Sequence, residues 1–221
     1  MARSFNGTTD SGAATPGLTL NQTALSVSMW AKLTNTATQR VWLLWGDFAT
    51  NSGFIIETLA GGPAVIGLRT TGAGLWSDSF PTPSLGVWHH YLVTFNYGSP
   101  QNLVWVDGVA QTLTARTHTA TSSQVANQNI TVGNNGAGAG MLGSLAEVTI
   151  WFGVLLGQTF ATSLATGANS VSVHPEVLCF YPPLLGNSPE SDYSSGQHSV
   201  TLTGTTVVPH PGIQTVDTAT S

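Results

Sequence analysis

Residues 86–109, GVWHHYLVTFNYGSPQNLVWVDGV, set the tightest limit on what this chain can fold into. From His89 to Tyr97 the residues alternate. His89, Tyr91, Val93, Phe95 and Tyr97 share one face, and His90, Leu92, Thr94 and Asn96 share the other. Period two, carried by β-branched and aromatic residues, predicts a strand. Residues 97–102 supply turn chemistry. Residues 103–106 predict a second strand, with Val104 and Val106 on one face and Trp105 on the other. Asp107-Gly108 closes it, because glycine tolerates the positive φ of a tight turn. Two antiparallel strands at the centre of a β-sandwich follow.

Similar segments flank this pair. Residues 24–33 alternate, with Leu25, Val27, Met29 and Ala31 on one face. Residues 40–45, 54–59 and 64–69 read as further strands, arranged as two hairpins around turns. Residues 70–87 are interrupted by Gly72, Gly74, Pro81 and Pro83 and read as an irregular loop that carries Trp76 and Phe80. Residues 113–125 read as a weak edge strand and a loop, and 129–133 as a strand. The expected core contains Tyr91, Val93, Phe95, Val104, Val106, Val148 and Ile150.

WHHYLVTF followed by LVWVDGV resembles the central signature of laminin-G-like, concanavalin-A-like jelly-roll domains, a kind also found in phage structural proteins. The matching residues are Trp88, His89, His90, Val93, Val106, Asp107 and Gly108. A second stretch, GSLAEVTIW, is similar to the family pattern Gly-x-Ile-Asp-Glu-Val-x-Ile-Tyr at Gly143, Glu147, Val148 and Ile150. Ala146 stands where the family usually has Asp. The resemblance covers residues 4 to 204 and implies an all-β jelly roll of two antiparallel sheets with one short helix. The domain expectation is therefore a jelly roll over 1–204 and an extended tail over 205–221.

The resemblance leaves enzyme and binder both open, since the fold also hosts glucanases. A glucanase needs two carboxylates flanking one glycosidic bond, about 5 to 5.5 Å apart in retaining enzymes. No Asp or Glu pair in the first 180 residues has the strand spacing for this, and Glu147 is alone. The expectation is a chain that is not an enzyme. His89 and His90 are adjacent on one strand and face opposite ways, so they do not share a metal. Cys179 is the sole cysteine and is expected to be an inert, buried thiol.

Binding residues are expected on a rim. Trp76 would stack on a sugar face, with Asp78, Asn134 and Asn135 hydrogen-bonding its hydroxyls. Calcium is the one cofactor considered, because several relatives hold Ca²⁺ in rim loops. Its candidate ligands are Asp47 and Asp78, and such hard cations need several oxygens.

Charged residues make up 7% of the chain, five Lys plus Arg against ten Asp plus Glu, for a net charge of −5. The absence of a basic cluster argues against nucleic acid. No apolar run of ~20 residues predicts a membrane span, and residues 1–12 carry no secretory h-region. A weakly charged surface protects poorly against association, and residues 42–45 and 103–106 place bulky apolar groups on both strand faces. These features lead to a structural or adhesive protein, made in a host cytoplasm and displayed on a virion surface as a capsid decoration or tail protein. Its partners would be copies of itself, other subunits of the particle, or a surface glycan. The alternative is a free carbohydrate-binding module; a glucanase ranks below both.

Overall fold

Alternation at period two closes two antiparallel sheets face to face, and the described residues of the computed structural model are 1–18, 23–46, 53–69, 74–99, 101–120, 128–134 and 139–210. The strands, in chain order, are β1 (Ala2–Asn6), β2 (Ser11–Leu18), β3 (Ala24–Leu33), β4 (Arg40–Gly46), β5 (Gly53–Thr58), β6 (Ala64–Arg69), β7 (Leu75–Phe80) and β8 (His89–Asn96). They continue with β9 (Gln101–Val106), β10 (Val109–Ala110), β11 (Thr114–His118), β12 (Gln128–Val132), β13 (Leu142–Phe152), β14 (Leu178–Phe180), β15 (Val200–Thr203) and β16 (Thr206–Val208). Helix α1 spans Gln158–Ala165. Sheet A runs β10-β9-β8-β3-β13-β1-β16, with β14 also against β13, and sheet B runs β11-β7-β6-β5-β4-β12-β2-β15.

The inward faces interdigitate as the sequence predicts. Tyr91, Val93, Phe95, Val104, Val106, Val148 and Ile150 all lie in the main core. Sheet B contributes Trp42, Trp45, Phe54, Ile56, Ile66 and Leu68. Each such side chain contributes roughly 1.5–3 kcal/mol by leaving water.

Three features depart from the sequence reading. Residues 75–80, expected within a loop, form β7, which pairs with β6 on one side and β11 on the other. LWSDSF gave no apolar period because one of its inward residues, Asp78, is a buried acid. The apolar residues of β4 do not divide evenly between faces. The register shifts between Val41 and Leu43, so Trp42, Leu43 and Trp45 all reach the core; such a bulge inserts one residue into one strand. Finally, Thr206–Val208, expected as extended tail, pairs with β1 at the edge of sheet A. Residues 211–221 lie outside the described residues.

Candidate functional site

The two sheets present very different outer faces. On sheet A, Leu92, Trp105 and Trp151 point outward and would be exposed in a bare sandwich. They are covered by Leu156, just before α1, by Ala161 and Leu164 of α1, and by Val173, Leu178 and Tyr181 of the segment after it. Polar atoms secure this cover. Trp105 Nε1 donates to Gln158 Oε1 at 3.0 Å, and Trp151 Nε1 donates to the Val173 carbonyl at 2.6 Å. Ser26 Oγ donates to the Val154 carbonyl at 2.8 Å and accepts from Leu156 N at 2.9 Å. His90 is buried on the same outer face, its Nε2 2.8 Å from Ser28 Oγ and its ring edge-on to Trp30. Burial holds its pKa down at about 4, against a smaller upward pull from Asp107.

The outer face of sheet B carries a groove of about 190 Å³. Strand alternation decides what lines it. Phe54 and Ile56 face the core, so Ile55 and Glu57 face out; Ala64, Ile66 and Leu68 face the core, so Val65 and Gly67 face out. Leu75 and Ser77 come from β7 by the same rule. On edge strand β11 the register shifts between Ala115 and Thr117, and Arg116 and Thr117 both line the groove. The floor is apolar, with a carboxylate, a guanidinium and two hydroxyls around it.

Glu57 is buried, and burial raises its pKa above the ordinary value. A hydrogen bond from Gln39 Nε2 to Oε2, 2.5 Å long, and the charge of Arg116 act in the opposite direction. Among the described residues, no ion pair within 4 Å joins Glu57 to Arg116, and Gln39 is the carboxylate's one hydrogen-bond partner.

The residues expected to form a rim site are not brought together. Asp78 is buried between the sheets, where Asn102 Nδ2 donates to its Oδ2 at 2.9 Å and His118 Nε2 stands 2.8 Å from its Oδ1. Trp76 stacks on His118, ring centroids 3.7 Å apart and planes 10° from parallel. Both residues thus tie β11 to β7 and β7 to β9. Asn134 is also buried, and its amide donates to the carbonyls of Thr8 at 3.0 Å and Asp10 at 3.4 Å. It follows β12, which β4, β5 and β6 separate from β7. Four strand spacings amount to about 19 Å. Asn135 and Asp47 lie outside the described residues.

The sequence points to Asp47 and Asp78 as calcium ligands. Asp78 does not fit that role, because each of its oxygens meets a nitrogen donor rather than open space. Among the described residues no three His, Cys, Asp or Glu side chains gather as a ligand set.

Other polar constellations are structural. Asp107, at φ +51 in its turn, accepts from His90 N at 2.8 Å and lies 2.6 Å from His89 Nδ1. Glu147 sits at φ +54 where the register of β13 against β3 shifts. Its carboxylate accepts the Tyr181 hydroxyl and lies 3.1 Å from His210 Nε2, which anchors the chain beyond β16. The Cys179 thiol donates to the Ile150 carbonyl at 3.1 Å, and burial pushes its pKa up.

Sequence reasoning missed Glu57 and Arg116. A signal existed for each. Glu57 is the one charge in the apolar strand GFIIET, and Arg116 the one charge in the Thr-rich stretch that forms β11. Neither belonged to a motif.

Residues 6–159 match the Laminin_G_3 family, described as the concanavalin A-like lectin/glucanases superfamily. A sequence search of curated proteins gives no match. Among solved structures, the heptameric SAP-like pentraxin of Limulus polyphemus is 14% identical with a TM-score of 0.61, over 91% of this chain and 93% of that one. A candidate carbohydrate-binding protein from Bacteroides ovatus is 13% identical with a TM-score of 0.64, over 93% of this chain and 58% of that one. The enzymatically active domain of tailspike protein 2 from bacteriophage CBA120 is 15% identical with a TM-score of 0.54, over 78% of this chain and 28% of that one. At these identities the likeness is one of fold.

Proposed function

Since the chain belongs to the concanavalin A-like lectin/glucanases superfamily, we propose that it is a non-catalytic saccharide-binding protein and that the groove on sheet B is its site. The observation that carries this reading is the groove's chemistry. An apolar floor of Ile55, Val65 and Leu75 lies among polar groups: Arg116 makes no hydrogen bond among the described residues, and Glu57 makes one, to Gln39. Sugars offer the complement, apolar ring faces bordered by hydroxyls, and small-ligand sites combine an apolar lining with a few placed polar groups. The groove offers one carboxylate among its lining residues, Glu57, whereas glycoside hydrolysis ordinarily employs two. The B. ovatus protein of the same fold supports a sugar ligand by analogy.

A glycan array probed with and without Ca²⁺ tests this. The wild-type chain is expected to retain a defined subset of glycans, and Gly67→Leu, which fills the groove from β6, to lose them; Thr117→Trp, at an exposed groove position on edge strand β11, is a second variant expected to lose them without changing a buried position. Retention of no glycan in either condition overturns the reading.

We also propose that the chain is displayed on a larger assembly, a virion surface, through its own association. The outer apolar face of sheet A gives no support, because α1 covers it within the chain. Support comes instead from strand β16, whose one described neighbour is β1, and from the exposed side chains of Met1, Leu185 and Val207 near it. Unpaired strand edges with apolar residues favour pairing with another chain. Sedimentation is expected to show an oligomer that Val207→Lys dissociates. A wild-type chain that stays monomeric throughout overturns this.

A further inference from the structure

The charged groups of the groove define its ligand more narrowly than a sugar of any kind. The chain has five Lys and Arg residues. Arg3 donates to the carbonyls of Asn187 and Thr205, and Arg40 to those of Gly7 and Gly140. Lys32 sits over the Trp88 ring. Arg69, at the end of β6, stands on the same outer face as Val65 and Gly67 by strand alternation. Arg116 differs from Arg3 and Arg40. It is exposed, lines the groove, and donates no hydrogen bond among the described residues. A bulge in an edge strand commonly re-aims a side chain, and here one occurs at Arg116.

A guanidinium that makes no hydrogen bond among the described residues, and acts on Glu57 only through space, selects for a planar anion at the mouth of a small groove. Its fork of N–H groups matches the two oxygens of a carboxylate, and such paired, charge-assisted bonds are among the strongest available at a surface. The remaining groove groups suit the rest of a sugar ring. Glu57 Oε1 has no partner among the described residues and accepts from hydroxyls, while Ser77 and Thr117 both donate and accept. A volume of about 190 Å³ lies below the usual range for drug-sized ligands and matches one ring.

We propose that the sheet B groove binds a carboxylate-bearing sugar residue, a uronic or sialic acid, with Arg116 taking the carboxylate and Glu57, Ser77 and Thr117 taking hydroxyls. This rests on the saccharide-binding reading and sharpens it. The carboxylate is the recognised group, so a uronate and a sialate share the site, while neutral sugars bind more weakly.

The test titrates the full chain, by calorimetry or NMR, with methyl β-D-glucuronide, methyl α-sialoside and methyl β-D-glucoside at low and high salt. At least one acidic sugar is expected to bind tenfold or more tightly than the glucoside, with the margin shrinking at high salt. Arg116→Gln, an exposed substitution, is expected to remove the margin by weakening the acidic sugars tenfold or more and the glucoside far less. Equal binding of acidic and neutral sugars, or a margin that survives in Arg116→Gln, overturns the acidic-sugar assignment and leaves saccharide binding standing. Failure of all three sugars, together with an empty glycan array, overturns both.

Discussion

The outer face of sheet A and the outer face of sheet B start from the same problem and reach opposite ends. Both carry apolar side chains that the core does not use. On sheet A these are large, Leu92, Trp105 and Trp151, and the chain folds α1 and its following segment over them. On sheet B one part, Val41, Leu44 and Ile55, is buried with Ala139 packed against it, and beside it Ile55, Val65 and Leu75 line a groove among Glu57, Arg116, Ser77 and Thr117. A large apolar surface demands cover within the chain or from a partner. A smaller one mixed with polar groups can remain open and serve as a site. The difference teaches where to look for function on a sandwich: the face on which a groove remains beside polar groups.

The largest expected effect breaks this contrast in half. Trp151→Ala removes a fully buried indole and the hydrogen bond to Val173, and leaves a cavity under a fixed lid. Such truncations cost about 3–5 kcal/mol. Val65→Ala, on the open face, loses the transfer term of two methyl groups at about 0.8 kcal/mol each and no sealed cavity forms, so it costs up to about 1.5 kcal/mol. Urea unfolding of both variants measures the gap. Equal losses would mean that sheet A's cover is not a packed layer.

The sandwich itself was legible in the sequence because alternation repeats a local rule. Val93 and Val104, or Val27 and Ile150, announce their faces without reference to anything distant. The covered face was half legible. Trp105 opposite Val104 and Val106 showed that bulk pointed outward, but whether α1 or another chain lay over it depended on a tertiary contact. The site was the least legible. Trp76 and Asp78 lie on the right strand, β7, and on its inner face, while the groove takes Leu75 and Ser77 from the outer one. One residue of phase separates the two choices, and the expectation that residues 70–87 form a loop removed the phase altogether. Arg116 depends on a bulge in β11, which no period reveals.

The smaller effect is a pH dependence of opposite sign on the two faces. His90, buried on the outer face of sheet A, has its pKa lowered from 6.5 to about 4 in the folded chain by burial. The folded state therefore binds fewer protons than the unfolded state between these values. Stability contributed by neutral His90 is present above pH 6.5 and is lost as pH falls toward 4. A shift of this size corresponds to a loss on the order of 3 kcal/mol across that window. Glu57, in the open groove, has its pKa raised from 4.5. Its stabilising contribution is present below pH 4.5 and is lost as pH rises through the folded value. Glu57 is less deeply enclosed than His90, and Gln39 and Arg116 partly answer its charge, so its effect is the weaker one. Thermal melts from pH 4 to 7 are expected to show His90→Gln with a flatter acid limb than the wild type. Glu57→Gln is expected to melt above the wild type at pH 7 and to converge with it below pH 4.5. A Glu57→Gln chain that melts below the wild type at pH 7 would show that the ionised carboxylate is stabilised where it stands. Glu57 would then be a structural partner of Gln39 rather than a strained acid held ready for a ligand.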